Sequence, residues 1–251
     1  MKSIVFIGGK EIGYFCLEHL LSNSNKLGIN VIGVLTSDKS ISKSEFSFPN
    51  LCKEYQVKIF KELDDLFKLD IDIIISVQFH LILQNCHIEE ARQIAVNLHM
   101  APLPEYRGCN QFSFAIIDRV KEFGTSFHKL DVSIDGGDLL FERRFEINDN
   151  LFVSDLYNKT FTESKILFVE KIQSIIDGET IPIPQNKLPP ERKRGFHLRK
   201  EMKQIKQIDP DWSIEEQKLY FRATYFPPFA PPVMVYKSGS VNLNMDWYNS
   251  L

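Results

Sequence analysis

Asn97 and His99 stand two positions apart in the segment Asn-Leu-His, and side chains spaced this way on a β-strand point to the same face. Ile94, Ala95 and Val96 just before them make an apolar run suited to a buried strand. Pro102 and Pro104 soon after forbid further regular pairing. In open α/β sheets, ligands bind at the carboxyl ends of the strands. The pair therefore offers a carboxamide donor and an imidazole aimed at one point. That equipment stabilises a developing oxyanion and moves a proton.

A carboxylate beside His99 would fix the ring's tautomer and favour its charged form. The segment 124–141 holds three, Asp131, Asp135 and Asp138, after a stretch with strand-like β-branched and aromatic content. Asp135-Gly136-Gly137-Asp138 reads as a turn whose glycines allow a reversal or a close approach to a ligand. Spacing alone leaves the choice among the three open. A plain structural reading also fits: Asn97 capping a turn, Asp135 and Asp138 as turn formers, His99 as a satisfied core histidine.

Asn97-x-His99, then Leu103-Pro104-x-Tyr106-Arg107-Gly108, then Asp135-x-Gly137 resembles the signature of the 10-formyltetrahydrofolate-dependent formyltransferases. An earlier piece, residues 76–82 (Ser-Val-Gln-Phe-His-Leu-Ile), resembles that family's folate-binding loop. The likeness covers about residues 1–180. It implies Asn97, His99 and Asp135 as the catalytic trio, which selects Asp135 among the three carboxylates. It implies N10-formyltetrahydrofolate as cosubstrate, without a metal. The cosubstrate would be held by Gln78, Phe79, His80, Leu81 and Ile82 on one side and by Asp131, Val132, Ser133 and Ile134 on the other.

The run from Met100 to Phe112 most resembles the small bacterial enzymes that formylate dTDP-linked amino-dideoxy sugars. A sugar-nucleotide substrate is therefore expected, with Met100, Tyr106, Arg107, Asn110 and Gln111 near it. There are departures. Met100-Ala101 replaces the family's Pro-Ser or x-Ser after the His, and Cys109-Asn110-Gln111 stands where some members carry an Arg that touches folate. That contact does not transfer. The rival readings are a methionyl-tRNA or glycinamide ribonucleotide formyltransferase, and a non-catalytic folate- or nucleotide-binding protein.

The elements that must position these residues alternate between strand and helix. Apolar runs at 4–7, 31–35, 57–60 and 71–77 read as strands. Helices are expected at 12–21, 48–55, 88–92, 111–119 and 153–176, the last ending at Asp177-Gly178. Such alternation predicts an α/β fold, a Rossmann-like doubly wound and mostly parallel sheet. Gly8-Gly9-Lys10-Glu11-Ile12-Gly13 lacks the dinucleotide fingerprint, because Lys10 occupies the second glycine's place. The Ser/Lys-rich stretch 37–47 reads as a surface loop.

After Gly178 the composition changes, and residues 181–251 are expected to form a small subdomain with a helix at 214–223 and a hairpin of strands at 233–236 and 241–244. Pro182, Pro184, Pro189 and Pro190 form a linker. A basic stretch follows, with Arg192, Lys193, Arg194, His197, Arg199, Lys200, Lys203 and Lys206. It is either a solvated face or a place where a cation such as Arg199 meets a diphosphate. Tyr220, Tyr225, Phe226 and Phe229 could stack on a base, and the Arg222-Ala223 and Phe226–Phe229 run resembles the sugar-nucleotide members here.

Composition sets bounds. With 43% hydrophobic and 25% charged residues the chain is globular, and its net charge of −3 gives no global attraction for nucleic acid. Cys16, Cys52, Cys86 and Cys109 show no metal-type spacing and read as buried or semi-buried thiols in a reducing compartment. No stretch reaches membrane-spanning length. A cytoplasmic enzyme is expected, with the C-terminal hairpin available for a homodimer.

Overall fold

A computed structural model describes residues 1–36 and 46–251. Most of the expected loop at 37–47 lies outside the described residues. Its last member, Ser47, is buried and accepts a hydrogen bond from Asn50 N–H, capping the next helix.

The strands in chain order are β1 (Lys2–Gly8), β2 (Ile29–Leu35), β3 (Ile59–Phe60), β4 (Ile71–Val77), β5 (Ala91–His99), β6 (Arg107–Gly108), β7 (Glu122–Lys129) and β8 (Leu139–Glu146). All but β6 join one sheet in the order β3-β2-β1-β4-β5-β7-β8. From β3 to β5 the pairing is parallel; β7 and β8 are antiparallel. The expected doubly wound sheet is present, with β7 alone running against the other strands.

Alternation divides the side chains between two faces. One buries Ile4, Phe6, Ile73, Ile75, Val96, Leu98 and Phe127 against two helices, α1 (Lys10–Ser22) and the long helix described below. The other buries Val5, Ile7, Ile71, Ile74 and Ala95 under short segments that bring Leu66, Leu83 and Ile88. Asn97 and His99 alternate with Val96 and Leu98, so they fall on this second, thinly covered face. Phe127 is fully buried in ring contact with Phe168. Phe127→Ala is expected to cost about 3–5 kcal/mol, read as a lower denaturant midpoint with unchanged slope.

The remaining helices of the first part are α2 (Ser24–Leu27), α3 (Phe48–Glu54), α4 (Asn85–Ile88), α5 (Gln111–Ile117) and α6 (Val153–Asp177), the long helix. Gly178 ends α6 in the left-handed conformation that glycine favours, φ 76°. The helix expected at 88–92 is corrected: α4 ends at Ile88, and Ala91 already pairs with Ile71 in β5.

Beyond 180 come β9 (Phe196–His197), α7 (Glu201–Ile205), β10 (Gln207–Ile208), α8 (Ile214–Thr224), β11 (Val233–Tyr236), β12 (Gly239–Asn242) and α9 (Met245–Ser250). The hairpin is present, but β12 starts and ends earlier than expected, because Asn244 caps α9 by accepting from Trp247 N–H. β10 adds a third, parallel strand. Ala115, Ile116, Leu156, Leu219 and Ala223 form one core cluster, so α8 shares its interior with α5 and α6. Among the described residues no helix is long and apolar enough to cross a membrane. Cys16 and Cys52 are buried as expected, whereas Cys86 is exposed, and all four cysteines are free.

Candidate active site

His99 is the last residue of β5 and is buried. Its Nε2 lies 2.7 Å from the Tyr106 carbonyl oxygen, which can only accept, so Nε2 carries a proton. That leaves Nδ1 facing Asp135, whose Oδ2 is 3.7 Å away: an ion-pair separation, slightly longer than a hydrogen bond. Two hydroxyls hold the chain as it leaves the sheet. Thr125 donates to His99 O at 3.0 Å, and Ser126 donates to Ala101 O at 2.9 Å.

The antiparallel reversal of β7 places His128 directly across from Asn97. His128 Nδ1 donates to the carbonyl of Lys129 at 2.7 Å. Its Nε2 is thereby directed at the Asn97 carboxamide, 3.1 Å away, and at Asp135 Oδ1, 3.4 Å away. In the neutral ring Nε2 accepts from one Asn97 N–H and leaves the second for another acceptor; in the charged ring Nε2–H instead donates towards Asp135 Oδ1. Asn97 makes no hydrogen bond to His99; His128 and Asp135 connect them. Sequence reasoning missed His128. The alternation of β7 was readable, but its partner strand was not.

Asp135 sits in the loop 130–138 with φ 49°, a left-handed backbone that is uncommon for a residue with a side chain. Its Oδ2 accepts from Gly108 N–H at 2.8 Å. Burial works to raise this carboxyl, but the neighbouring His99, the hydrogen bond and charge of His128 and the Gly108 N–H outweigh it. The group is held well below the usual carboxylate range. The glycines of the turn permit close packing. A Cβ at Gly137 would lie 2.0 Å from Lys129 O, the atom that anchors His128. Gly137→Ala is therefore expected to destabilise the protein by about 1–3 kcal/mol and to lower turnover of the folded fraction. A thermal melt paired with an activity assay on soluble protein reads both.

The loops expected to hold a cosubstrate flank this cluster. Gln78 also has a left-handed backbone and accepts from Lys10 Nζ at 3.1 Å. Phe79 packs on the second-face core and meets His80 edge-on, while Leu81, Ile82, Val132 and Ile134 are exposed. Asp131 accepts from Val132 N–H, and Ser133 O accepts from Gly136 N–H. Ile134 O accepts two hydrogen bonds from Arg107, at 3.0 and 2.8 Å. Exposed apolar side chains on both loops suit a flat heteroaromatic ligand.

The expected substrate residues are placed unevenly. Met100 is buried in the main core, and Tyr106 is buried with its hydroxyl donating to Asp118 at 3.0 Å. Asn110 has φ 61° and donates to Leu198 O; Gln111 opens α5 and is buried. Arg199 is exposed. Tyr220 and Tyr225 pack around Phe221, and Phe226 rests on Tyr157 and Phe229. Arg222 bonds Tyr248 OH and Asp149 O and lines a cavity of about 640 Å³ with Arg119 and Lys218. None of the trio lines that cavity. In the basic stretch, Arg192 is half-buried, pairing with Glu105 and Glu142 and donating to Leu103 O. Among the described residues no group of three or more His, Cys, Asp or Glu is arranged to hold a metal.

Comparison with known proteins gives this arrangement its class. The family model described as formyl transferase matches residues 1–172, and the chain belongs to that family. It is 30% identical over 197 residues to a methionyl-tRNA formyltransferase of Clostridium novyi, covering 73% of this chain and 62% of that one. It is 28% identical over 191 residues to a GDP-perosamine N-formyltransferase of Brucella melitensis, covering 72% and 68%. Among solved structures, an N-formyltransferase from Helicobacter canadensis in complex with folinic acid and dTDP-3-aminofucose superposes with a TM-score of 0.77. Identity is 22%, over 94% of this chain and 85% of that one. The chain thus spans less than two thirds of the length of the methionyl-tRNA relative.

Proposed function

We propose that the protein moves the formyl group of N10-formyltetrahydrofolate to the amino group of a dTDP-linked amino-dideoxyhexose. The observation that carries this reading is the buried cluster in which the ionised Asp135 faces Nδ1 of His99 and Nε2 of His128. When bound, the cosubstrate supplies a formyl carbon open to an amine. His99 Nδ1 takes the proton from the attacking amine, Asp135 stabilises the charge the ring then carries, and the ring gives that proton to the departing N10 nitrogen as its bond to the formyl carbon breaks. The Asn97 N–H left over from His128 donates to the formyl oxygen as negative charge grows on it. A donor of this kind is worth about 10²–10³ in rate. The exposed apolar residues of the two flanking loops would hold the pteridine.

The acceptor class rests on the quality of the superposition. The Helicobacter canadensis structure superposes over 94% of this chain with a TM-score of 0.77, whereas a methionyl-tRNA formyltransferase of Clostridium thermocellum, over 96% of this chain, reaches 0.61. The net charge of −3 also suits a small acceptor better than RNA. Exposed Val235, Tyr236 and Val241 on the C-terminal hairpin offer an apolar surface for a second copy. Incubation with the folate donor and a panel of amino-sugar nucleotides, read by mass spectrometry, should show a product heavier by one formyl group. Formylation of methionyl-tRNA with no sugar product would overturn the acceptor assignment.

A further inference from the structure

Residues 183–197, which composition marks as a proline-rich linker, run back along the catalytic loops. Ile183 and Leu139 exchange both main-chain hydrogen bonds, at 2.9 and 2.8 Å. Gln185 Nε2 then donates to two carbonyls of the Asp135 loop, Asp135 O and Gly137 O, each at 2.8 Å. Farther on, Arg192 donates to Leu103 O, Gly195 N–H to Pro104 O, and Cys109 N–H to His197 O. β9 pairs with β6, so Gly108, whose N–H holds the Asp135 carboxylate, is itself fixed by His197. Both loops that aim Asp135 are tied to this segment, which lies outside the family match at 1–172.

We infer that Gln185 is a positioning residue for Asp135 and that the strap 183–197 belongs to the catalytic apparatus; this rests on the formyl-transfer reading above. A non-glycine residue in the left-handed region is strained and persists only where its surroundings over-determine it. Gln185 supplies that restraint. It is buried, and both N–H groups of its carboxamide are spent on the carbonyls either side of Gly136. With those bonds gone, the loop relaxes and the carboxylate drifts from His99 Nδ1 and Gly108 N–H. Gln185 touches no reacting atom; its effect passes through Asp135.

Two substitutions test this. Gln185→Met keeps the volume and removes both donors. Gln185→Glu keeps the shape and sets a carboxylate against two carbonyls. In each variant kcat is expected to fall by about 10²-fold, the scale of a 1 Å misplacement, with KM for both substrates little changed. Hydrogen exchange followed by mass spectrometry should show the Gly108 amide losing protection while β4 keeps its own. A merely structural role would lower the melting temperature and spare the kcat of the folded fraction. Unchanged kcat and unchanged Gly108 protection in soluble Gln185→Met would overturn the inference. The exchange readout needs no turnover. If wild-type protein formylates nothing yet the Gly108 amide loosens in the variant, the positioning role stands and the formyl-transfer reading fails.

Discussion

His99→Ala is expected to lower kcat by about 10²–10⁴, the usual worth of a positioned acid–base group, while folate affinity changes little. The ring is buried at the end of β5, whereas the proposed ligand surface is the exposed apolar side chains of the loops at 78–82 and 131–134, so its loss removes chemistry and spares that surface. A second effect accompanies the first. Tyr106 O loses the N–H it accepts, and an unsatisfied buried carbonyl costs about 1–3 kcal/mol. His99→Gln separates the two effects, because its amide can still donate to that carbonyl yet cannot take up a proton at neutral pH. Single-turnover rates, folate titration and urea midpoints on both variants form the test. Turnover near wild type in either would remove the proposed chemistry.

Asp135→Asn should cost nearly as much activity with less disturbance of shape. The amide oxygen still accepts from Gly108 N–H, but no negative charge faces His99 or His128. The loss isolates the electrostatic role. The pH dependence of stability gives an independent check. Because the folded-state carboxyl is held low, its contribution is fully present above the ordinary aspartate value of about 3.9 and is lost as pH falls from there through the folded value. The wild type should therefore exceed Asp135→Asn in stability at neutral pH, and the gap should narrow below about pH 4. A gap that stays constant across the acid range would show that Asp135 is not ionised against its histidines.

Much of this was legible in the chain itself. Continuous apolar runs gave the parallel strands, since strands covered on both faces are apolar throughout. The Asn-x-His spacing sat at the end of β5, where the chain leaves the sheet. What escaped was everything that depends on pairing between distant strands. His128 faces Asn97 only because β7 runs opposite to β5 and in that register, and no local pattern states a register. Gln185 hid in a proline-rich segment, because composition reports that a stretch lacks regular structure and not what it touches. The basic stretch likewise concealed Arg192, whose guanidinium lies against Glu105 and Glu142. Burial opposes the ionised form of Glu105, yet Arg192 and Arg144 hold its carboxyl below the ordinary value.

The way the strap crosses the first unit decides where such a chain can be cut or recombined. A fragment ending near residue 180 would keep Asn97, His99 and Asp135 in sequence but leave the two loops around them untethered. A chimera that exchanged the C-terminal tail for another would need its junction beyond His197, past the last main-chain tie to Cys109. A junction placed by composition near residue 180 would part the strap from the carbonyls and amides it is bonded to.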